Sequence, residues 1–266
     1  MDHLLRELAP ISESVWAALE TEAKSRITTY LAARKLVGFD GPHGWGHSAS
    51  NLGRVETVGG PVHEVEARRR RVMPLVELRV PFTVARAELE DVDRGAADAD
   101  FGTLDVAAGR LGLAENTIVF QGHEGSGIRG ILESSSHPAV PLEDDLNRYP
   151  NLVAKAVDVL RESGIAGPYG LAIAPAGYTA IIETTEHGGY LLLDHLHQIL
   201  DGPVVWAPGI EGAAVVSLRG GDFVLEVGQD ISVGYLAHNA DEVTLYLEES
   251  VSFRVLEPDA AVVLSS

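Results

Sequence analysis

Apolar residues recur at helical spacing in two long segments of the chain. Between residues 12 and 34 they follow at three- and four-residue steps, the period of one face of an α-helix. The residues of this face are Trp16, Leu19, Ala23, Ile27, Tyr30 and Leu31. A second stripe, between about 103 and 120, contains Leu104, Ala108, Leu111, Glu115 and Ile118. The pattern predicts two amphipathic helices, the first capped by Ser12 or Ser14.

Alternation of apolar and polar residues predicts strands elsewhere. Residues 48–84 have an extended pattern, with Gly59-Gly60-Pro61 as the turn between two arms. The residues that alternate onto one face are Val76, Leu78, Val80, Phe82 and Val84. Near the C-terminus, residues 243–247 and 251–255 alternate in the same way, and Glu248-Glu249 between them predicts a change of phase.

Helices and strands follow one another without an internal repeat, which predicts an α+β fold. Shorter helices are predicted at 85–93, 151–163, 178–184 and 191–200, and shorter strands at 169–174, 204–206, 213–218 and 223–227. The two-armed extension needs a cover, because the edges of an isolated hairpin expose unpaired backbone groups. A second copy of the chain is the natural cover, so the pattern favours a homo-oligomer.

The balance of charge narrows the possible partners. The 266 residues include 39 acidic and 20 basic side chains, a formal net charge of −19. Phosphate backbones and anionic lipids repel such a chain, so neither a nucleic acid nor a membrane is expected as a partner. With no cysteine, the chain has no disulfide, thiolate metal site or cysteine nucleophile. The start lacks the pattern of a signal peptide, so the expected location is the cytoplasm.

No residue pattern identifies a catalytic, cofactor or metal site. Gly125 to Gly130 matches G-x-G-x-x-G, but a predicted helix precedes it where a dinucleotide site requires a strand. His195 and His197 are two residues apart, which places them on different faces of a helix. The basic run 68–71 is expected to pair with acidic surface on a neighbouring subunit. Residue chemistry alone therefore favours an assembly subunit.

Several short motifs lie in a characteristic order along the chain. They are Leu8-Ala9-Pro10 with Trp16, Gly41-Pro42 with Gly44-Trp45, Leu78-Arg79-Val80-Pro81-Phe82-Thr83, Arg94-Gly95, Gly167-Pro168-Tyr169, Arg219-Gly220-Gly221-Asp222-Phe223 and Gly228-Gln229-Asp230-Ile231-Ser232-Val233-Gly234-Tyr235. Together these motifs resemble the encapsulins, the linocin-like family of bacterial nanocompartment shell proteins. The resemblance covers essentially the whole chain, with matching length.

The resemblance implies the HK97-type fold of tailed-phage capsid proteins, an α+β fold with an N-terminal helix, an E-loop, a peripheral domain and an axial domain. Residues 1–47 would form the N-terminal helix and the start of the peripheral domain, 48–76 the E-loop and 77–132 the peripheral domain. Residues 133–222 would form the axial domain, and 223–266 would return to the peripheral domain with the C-terminal strands. The E-loop would pair with a neighbouring subunit, which supplies the cover that the extension needs.

The resemblance also implies a function without catalysis. Such subunits self-assemble into a closed icosahedral shell, expected here to contain sixty copies. The shell encloses a cargo enzyme, typically a dye-decolourising peroxidase or a ferritin-like iron-oxidising protein, through the C-terminal targeting peptide of the cargo. A phage major capsid protein is the nearest alternative, and a hydrolytic enzyme is the alternative from another class.

Two sites follow from the resemblance. Cargo is expected between the first helix, through Ile27, Leu31 and Arg34, and the segment with Asp230, Ile231 and Val233; the alternative for the two helix residues Ile27 and Leu31 is ordinary core. The residues expected to line an axial pore are Glu183, Glu186, His187, Gly188, Gly189 and Tyr190. Some relatives stack flavin on a tryptophan where this chain has Ala87, so no flavin is expected.

Overall fold

The computed structural model describes residues 3–142, 148–185 and 191–265. The helices are α1 Glu13–Tyr30, α2 Arg86–Asp93, α3 Gly102–Phe120, α4 Ile131–Ser134, α5 Tyr149–Glu162, α6 Pro175–Glu183 and α7 Leu192–Leu200. The strands are β1 Gly38–Asp40, β2 Ala49–Val58, β3 Ala67–Pro74, β4 Val76–Ala85, β5 Gly122–His123, β6 Ile128–Arg129, β7 Val140–Pro141, β8 Tyr169–Ile173, β9 Val204–Trp206, β10 Ala213–Ser217, β11 Phe223–Val227, β12 Ser232–His238, β13 Glu242–Val255 and β14 Ala261–Ser265. Each predicted helix and strand is confirmed, with ends shifted by a few residues.

Strand β13 is the centre of the first sheet. It pairs antiparallel with β4 along one edge, and with β12 and then β11 along the other. The pairing with β4 runs without a break from Glu242 to Val251. The predicted change of phase at Glu248-Glu249 is therefore wrong. Residues 243 to 255 keep one alternation, which places Glu249 on the same face as Leu247 and Val251.

Helices α1 and α3 pack together beside this sheet. The Ser12 hydroxyl accepts a hydrogen bond from the Val15 N–H at 3.3 Å, which caps α1. Two glycines of α3 permit the close approach, since a Cβ added at Gly112 would lie 2.6 Å from the Cβ of Tyr30. The buried faces of both helices join β4, β12 and β13 in one apolar cluster.

The second sheet has the strand order β7-β14-β10-β8-β9. Its strands are apolar and almost entirely buried, and α5 and α7 pack on it as part of the larger apolar cluster. Strands β8, β9 and β10 come from the segment expected to form the axial domain. Strand β14 also belongs to this sheet, because it pairs with β10 from Ala213 to Val216. The end of the chain thus returns to the second sheet rather than the first.

Strands β2 and β3 form a hairpin that pairs only with itself among the described residues. Most of its residues are exposed on both faces, including Val55 at 58 % and Val72 at 52 %. Residues 59–66 connect the two strands, so the predicted two-armed extension is confirmed. No helix in the described part of the chain combines the length and apolar character that a membrane crossing requires.

Candidate peptide-binding groove

A groove of about 420 Å³ lies between α1 and the beginning of β12. Its lining residues are Arg6, Glu20, Ala23, Lys24, Ile27, Thr28, Leu31, Arg34, Asp230, Ile231, Ser232, Val233 and Leu247. All six residues that the sequence analysis assigned to cargo binding line this one groove. The structure therefore brings them together, while their role in binding stays a prediction.

The apolar wall of the groove is the outer edge of the core. Ile27 is 4 % exposed, Leu31 9 % and Val233 2 %, and all three pack in the cluster formed by α1, α3 and the first sheet. Ile231 is half-buried and packs against the same cluster. Ile27 and Leu31 are therefore core residues that also line the groove, and their role in docking stays a prediction. A polar substitution at either position would disturb folding as well as any bound peptide.

Arg34 closes one end of the groove by contacting three carboxylates. It lies in a single 3₁₀ turn, Ala33–Lys35, that follows α1. Its Nε lies 2.7 Å from Oε2 of Glu115, its Nη1 2.9 Å from Oδ1 of Asp230, and its Nη2 3.0 Å from Oε2 of Glu249. The sequence analysis assigned Arg34 to the cargo site, and this role stays a prediction. Its guanidinium is already engaged, so its main effect is to hold the elements around the groove together.

Two of these carboxylates lie in the interior and interact with each other. Glu115 from α3 and Glu249 from β13 have fully buried side chains. Burial, reinforced by the charge of Glu115, raises the pKa of Glu249 well above its ordinary value. Burial also raises the pKa of Glu115, against the opposing charge of Arg34. Burial therefore favours the neutral form of both carboxyl groups, and the effect is stronger for Glu249.

Arg34 carries a positive charge in this cluster. Burial opposes its charge, but the carboxylates of Glu115, Glu249 and Asp230 outweigh that effect and raise the pKa of Arg34. One guanidinium thus serves three carboxyl groups, two of them fully buried. Sequence reasoning placed Glu115 on the buried stripe of α3 but gave it no partner, since Arg34 is 81 residues away along the chain.

The opposite end of the groove is closed by the N-terminal segment. Arg6 Nε donates to the Val233 carbonyl oxygen at 2.8 Å, and Arg6 Nη1 lies 2.6 Å from Glu20 Oε1. The guanidinium also lies over the Trp16 ring, 4.8 Å from its centroid. Arg6 and Glu20 were not predicted, because Arg6 and Val233 are 227 residues apart and no local pattern marks their contact.

The segment before β12 is rigidly held. The Ile231 N–H donates to Asp230 Oδ1 at 2.9 Å, the same oxygen that Arg34 contacts. The Gln229 side chain donates to the Ser232 hydroxyl at 2.7 Å, and the Gln229 N–H donates to Ser250 Oγ at 2.8 Å. A groove with fixed walls suits an extended peptide, because little ordering of the protein is needed on binding.

The other predicted positions lie away from the groove. Glu183 is exposed at the end of α6, where Thr185 and Leu191 form a β-bridge. The other predicted pore residues, Glu186 to Tyr190, lie outside the described residues. Ala87 is exposed in the first turn of α2 and offers only a methyl group to a flat ring system.

The fold and the groove can be compared with known proteins. Residues 1–252 match the family model Linocin_M18, described as an encapsulating protein for peroxidase. The chain belongs to the encapsulin family. An encapsulin relative, the type 1 encapsulin shell protein of Rhodospirillum rubrum, is 47 % identical over 99 % of this chain and 96 % of its own length. The type 1 encapsulin shell protein of Mycobacterium tuberculosis is 40 % identical, with full coverage of both chains.

Solved structures show the same fold at low sequence identity. A virus-like particle from Pyrococcus furiosus has a TM-score of 0.62 at 21 % identity, covering 95 % of this chain and 98 % of its own. The capsid of an empty GTA particle has a TM-score of 0.56 at 15 % identity, covering 89 % of this chain and 90 % of its own. The expected HK97-type capsid fold is thereby confirmed. Relatives that share this fold are named as shell proteins, which implies that this encapsulin assembles from many subunits.

Proposed function

We propose that the chain is the subunit of a closed icosahedral shell that encloses a cargo enzyme by binding the C-terminal peptide of that enzyme in the groove. The hairpin of β2 and β3 carries this proposal, because it extends from the subunit with both faces and its outer edges exposed. Such a hairpin is stable only when it pairs with something else. A neighbouring copy of the same chain meets this need in a symmetric shell.

The charges of the hairpin are consistent with this role. Arg69 Nη2 lies 2.8 Å from Glu56 Oε2, and Arg68 Nε lies 2.8 Å from Glu66 Oε1. Two members of the basic run therefore pair within the hairpin. The sequence analysis expected the run to pair with acidic surface on a neighbouring subunit. Arg70 and Arg71 remain exposed on β3 and are available to the acidic surface of an adjacent copy.

The groove suits an apolar peptide with few charges. The charges at its two ends are already paired, through Arg6 with Glu20 and through Arg34 with Asp230. The apolar middle, formed by Ile27, Leu31 and Ile231, therefore supplies most of the binding free energy. Burying one apolar side chain of the peptide there contributes about 1.5–3 kcal/mol.

The cargo is proposed to be a dye-decolourising peroxidase or a ferritin-like iron-oxidising protein. The family description names a peroxidase. A relative from Pyrococcus furiosus, 26 % identical over 75 % of this chain, is a ferritin-like-encapsulin shell fusion protein. The shell subunit has no catalytic role in this proposal, and the cytoplasm is its proposed location.

Neighbouring threonines of α1 offer a matched test of the groove. Thr28 and Thr29 are both exposed, but only Thr28 is a lining residue. Thr28→Trp is expected to fill the groove without disturbing the core, and Thr29→Trp to leave it open. Each variant is co-expressed with a fluorescent protein that ends in the C-terminal peptide of a candidate cargo enzyme. Cargo per shell is then quantified after size-exclusion chromatography.

The expected result is normal shells of all three proteins, with loading lost only in Thr28→Trp. Sixty copies of a 28.4 kDa chain elute near 1.7 MDa. Equal loading of Thr28→Trp and the wild type would place the peptide elsewhere. A wild-type protein that elutes as a dimer or tetramer, or that hydrolyses peptide or ester substrates, would refute the shell function itself.

A further inference from the structure

Three metal-ligating side chains meet where the chain leaves β1 and enters the hairpin. They are His43, His47 and Glu226. One ring nitrogen of each histidine and one carboxylate oxygen of Glu226 all lie within 4.8 Å of one another. The His47 Nε2 and Glu226 Oε1 atoms are 2.7 Å apart, and the two imidazole centroids are 4.8 Å apart. Ligands of one tetrahedral zinc ion are roughly 3.4 Å apart, so small side-chain rotations complete the geometry.

The backbone holds the two histidines at this place. The His43 N–H donates to the Val227 carbonyl oxygen at 3.0 Å, and the Gly44 N–H donates to Gly228 at 2.8 Å. The His47 N–H donates to the Gly44 carbonyl oxygen at 3.1 Å, which closes a tight turn. Gly44 has a φ of +91°, a conformation that favours glycine and lets the chain reverse between the histidines. The loop therefore lies along the end of β11, the strand that carries Glu226.

Further groups orient the carboxylate as a ligand. Arg254 Nη2 lies 3.1 Å from Glu226 Oε2, which leaves Oε1 directed at the histidines. Arg254 and Glu226 form a largely buried ion pair, with side chains only 19 % and 7 % exposed. Glu226 is thus held as a carboxylate, the form that binds metals.

His43, the more exposed of the two histidines, also contacts a carboxylate. Asp40 Oδ1 lies 3.1 Å from His43 Nε2. A carboxylate beside a metal-bound imidazole fixes the ring and raises its basicity. The His43 side chain is 39 % exposed, which gives an ion a path from solvent.

We propose that His43, His47 and Glu226 bind a divalent transition metal ion, with Zn²⁺ as the best match. Two imidazoles and one carboxylate form the ligand set of zinc sites that keep water in the fourth position. Calcium and magnesium prefer sites made of oxygen ligands, so the two imidazoles disfavour them. Arg254, which contacts the same carboxylate, also donates to the Asn51 carbonyl oxygen of β2 at 3.4 Å. A bound ion would therefore tie the base of the β2–β3 hairpin to the first sheet.

The test uses the purified full-length protein, stripped with EDTA and dialysed. Zn²⁺ is titrated calorimetrically, and metal content is measured by mass spectrometry. Co²⁺ serves as a spectroscopic probe, and the absence of cysteine keeps its visible bands free of thiolate charge transfer. We expect one ion per chain, a four-coordinate Co²⁺ spectrum, and a rise in the thermal midpoint with Zn²⁺.

The variant His43→Ala removes an exposed ligand and is expected to weaken Zn²⁺ binding roughly 100-fold or more. The control is His63→Ala, because that side chain is 94 % exposed and lies at the hairpin tip. Circular dichroism confirms that both variants are folded. Wild-type protein with a Co²⁺ spectrum no stronger than that of the aqueous ion overturns the proposal. Equal Zn²⁺ affinity of His43→Ala and the wild type overturns it as well.

Discussion

Arg34 Nη2 lies 3.0 Å from Oε2 of Glu249, across 215 residues of sequence. This contact joins the turn after α1 to the central strand of the first sheet. Glu115 of α3 contacts the same guanidinium, so one cation holds three elements around the floor of the groove. The shape of the candidate binding surface therefore depends on a buried ionic cluster as well as on apolar packing.

Replacing Arg34 by methionine is expected to destabilise the protein strongly. The substitution keeps much of the side-chain volume but leaves Glu115 and Glu249 buried without their cation. Removing one partner of a buried ion pair costs about 3–5 kcal/mol. The control is Arg129→Met, whose ion pair with Glu133 is exposed and contributes little. Urea denaturation of the two variants checks the prediction, and similar small shifts in both midpoints would contradict it.

The buried carboxyl groups also predict a dependence of stability on pH. The folded state keeps the proton of Glu249, whereas the unfolded state releases it above the ordinary value of 4.5. The folded state then binds more protons than the unfolded state, so the free energy of unfolding falls as the pH rises from there. The fall continues until Glu249 ionises in the folded protein.

The variant Glu249→Gln removes this titration but keeps the size of the side chain and an oxygen that can accept from Arg34. Its stability relative to the wild type is therefore expected to increase from pH 5 to pH 8. Glu242→Gln changes an exposed glutamate at the first position of the same strand and should follow the wild-type curve. Urea midpoints at four pH values provide the measurement. Parallel curves for Glu249→Gln and the wild type would show that Glu249 is already ionised.

The position of Glu249 shows how far the sequence determines this site. The two adjacent glutamates suggested a break in β13, because a charged pair is typical of a surface. Counting by twos from Val243 nevertheless reaches Glu249 on the inward face, and a strict alternation would have predicted its burial. The sequence does not reveal the partner, since Arg34 reaches Glu249 only through the packing of distant elements.

The sequence predicts elements that depend on neighbouring residues, but it does not predict pairings between distant segments. The hairpin, the helices and the alternation of β4 follow from neighbouring residues and were predicted. The parallel pairing of β1 with β11, in which Gly38 lies opposite Val224, has no local signal. The placement of β14 beside β10 is also nonlocal. The groove itself was predicted because Ile27 and Leu31 lie one turn apart on one helix face, and because the chain resembles a known family in which cargo binds between this helix and the segment around Asp230.

The pore assignment gives a prediction at Glu183, the one predicted charged pore residue that lies within the described residues. Symmetry repeats each pore side chain as a ring, so a charge there acts on every passing ion. Glu183→Lys is expected to slow the entry of divalent cations into assembled shells, and an encapsulated metal-sensitive fluorophore measures that rate. Glu162→Lys is the matched control, because Glu162 is also an exposed glutamate that ends a helix. Equal slowing by both variants would indicate an effect of overall charge rather than of a pore.

Shortening the hairpin tests its role in assembly. Thr57 pairs with Arg68, so replacing residues 58–67 by Asn-Gly keeps this pair and closes it with a favoured two-residue turn. The removed residues are almost all exposed and pack on nothing in the subunit. The variant is therefore expected to keep the circular dichroism spectrum of the folded chain but to form smaller species on size-exclusion chromatography. A second variant with the same ten residues in scrambled order separates the loss of length from the loss of specific contacts. If the shortened chain still forms shells of wild-type size and thermal stability, the hairpin is not the element that joins neighbouring subunits.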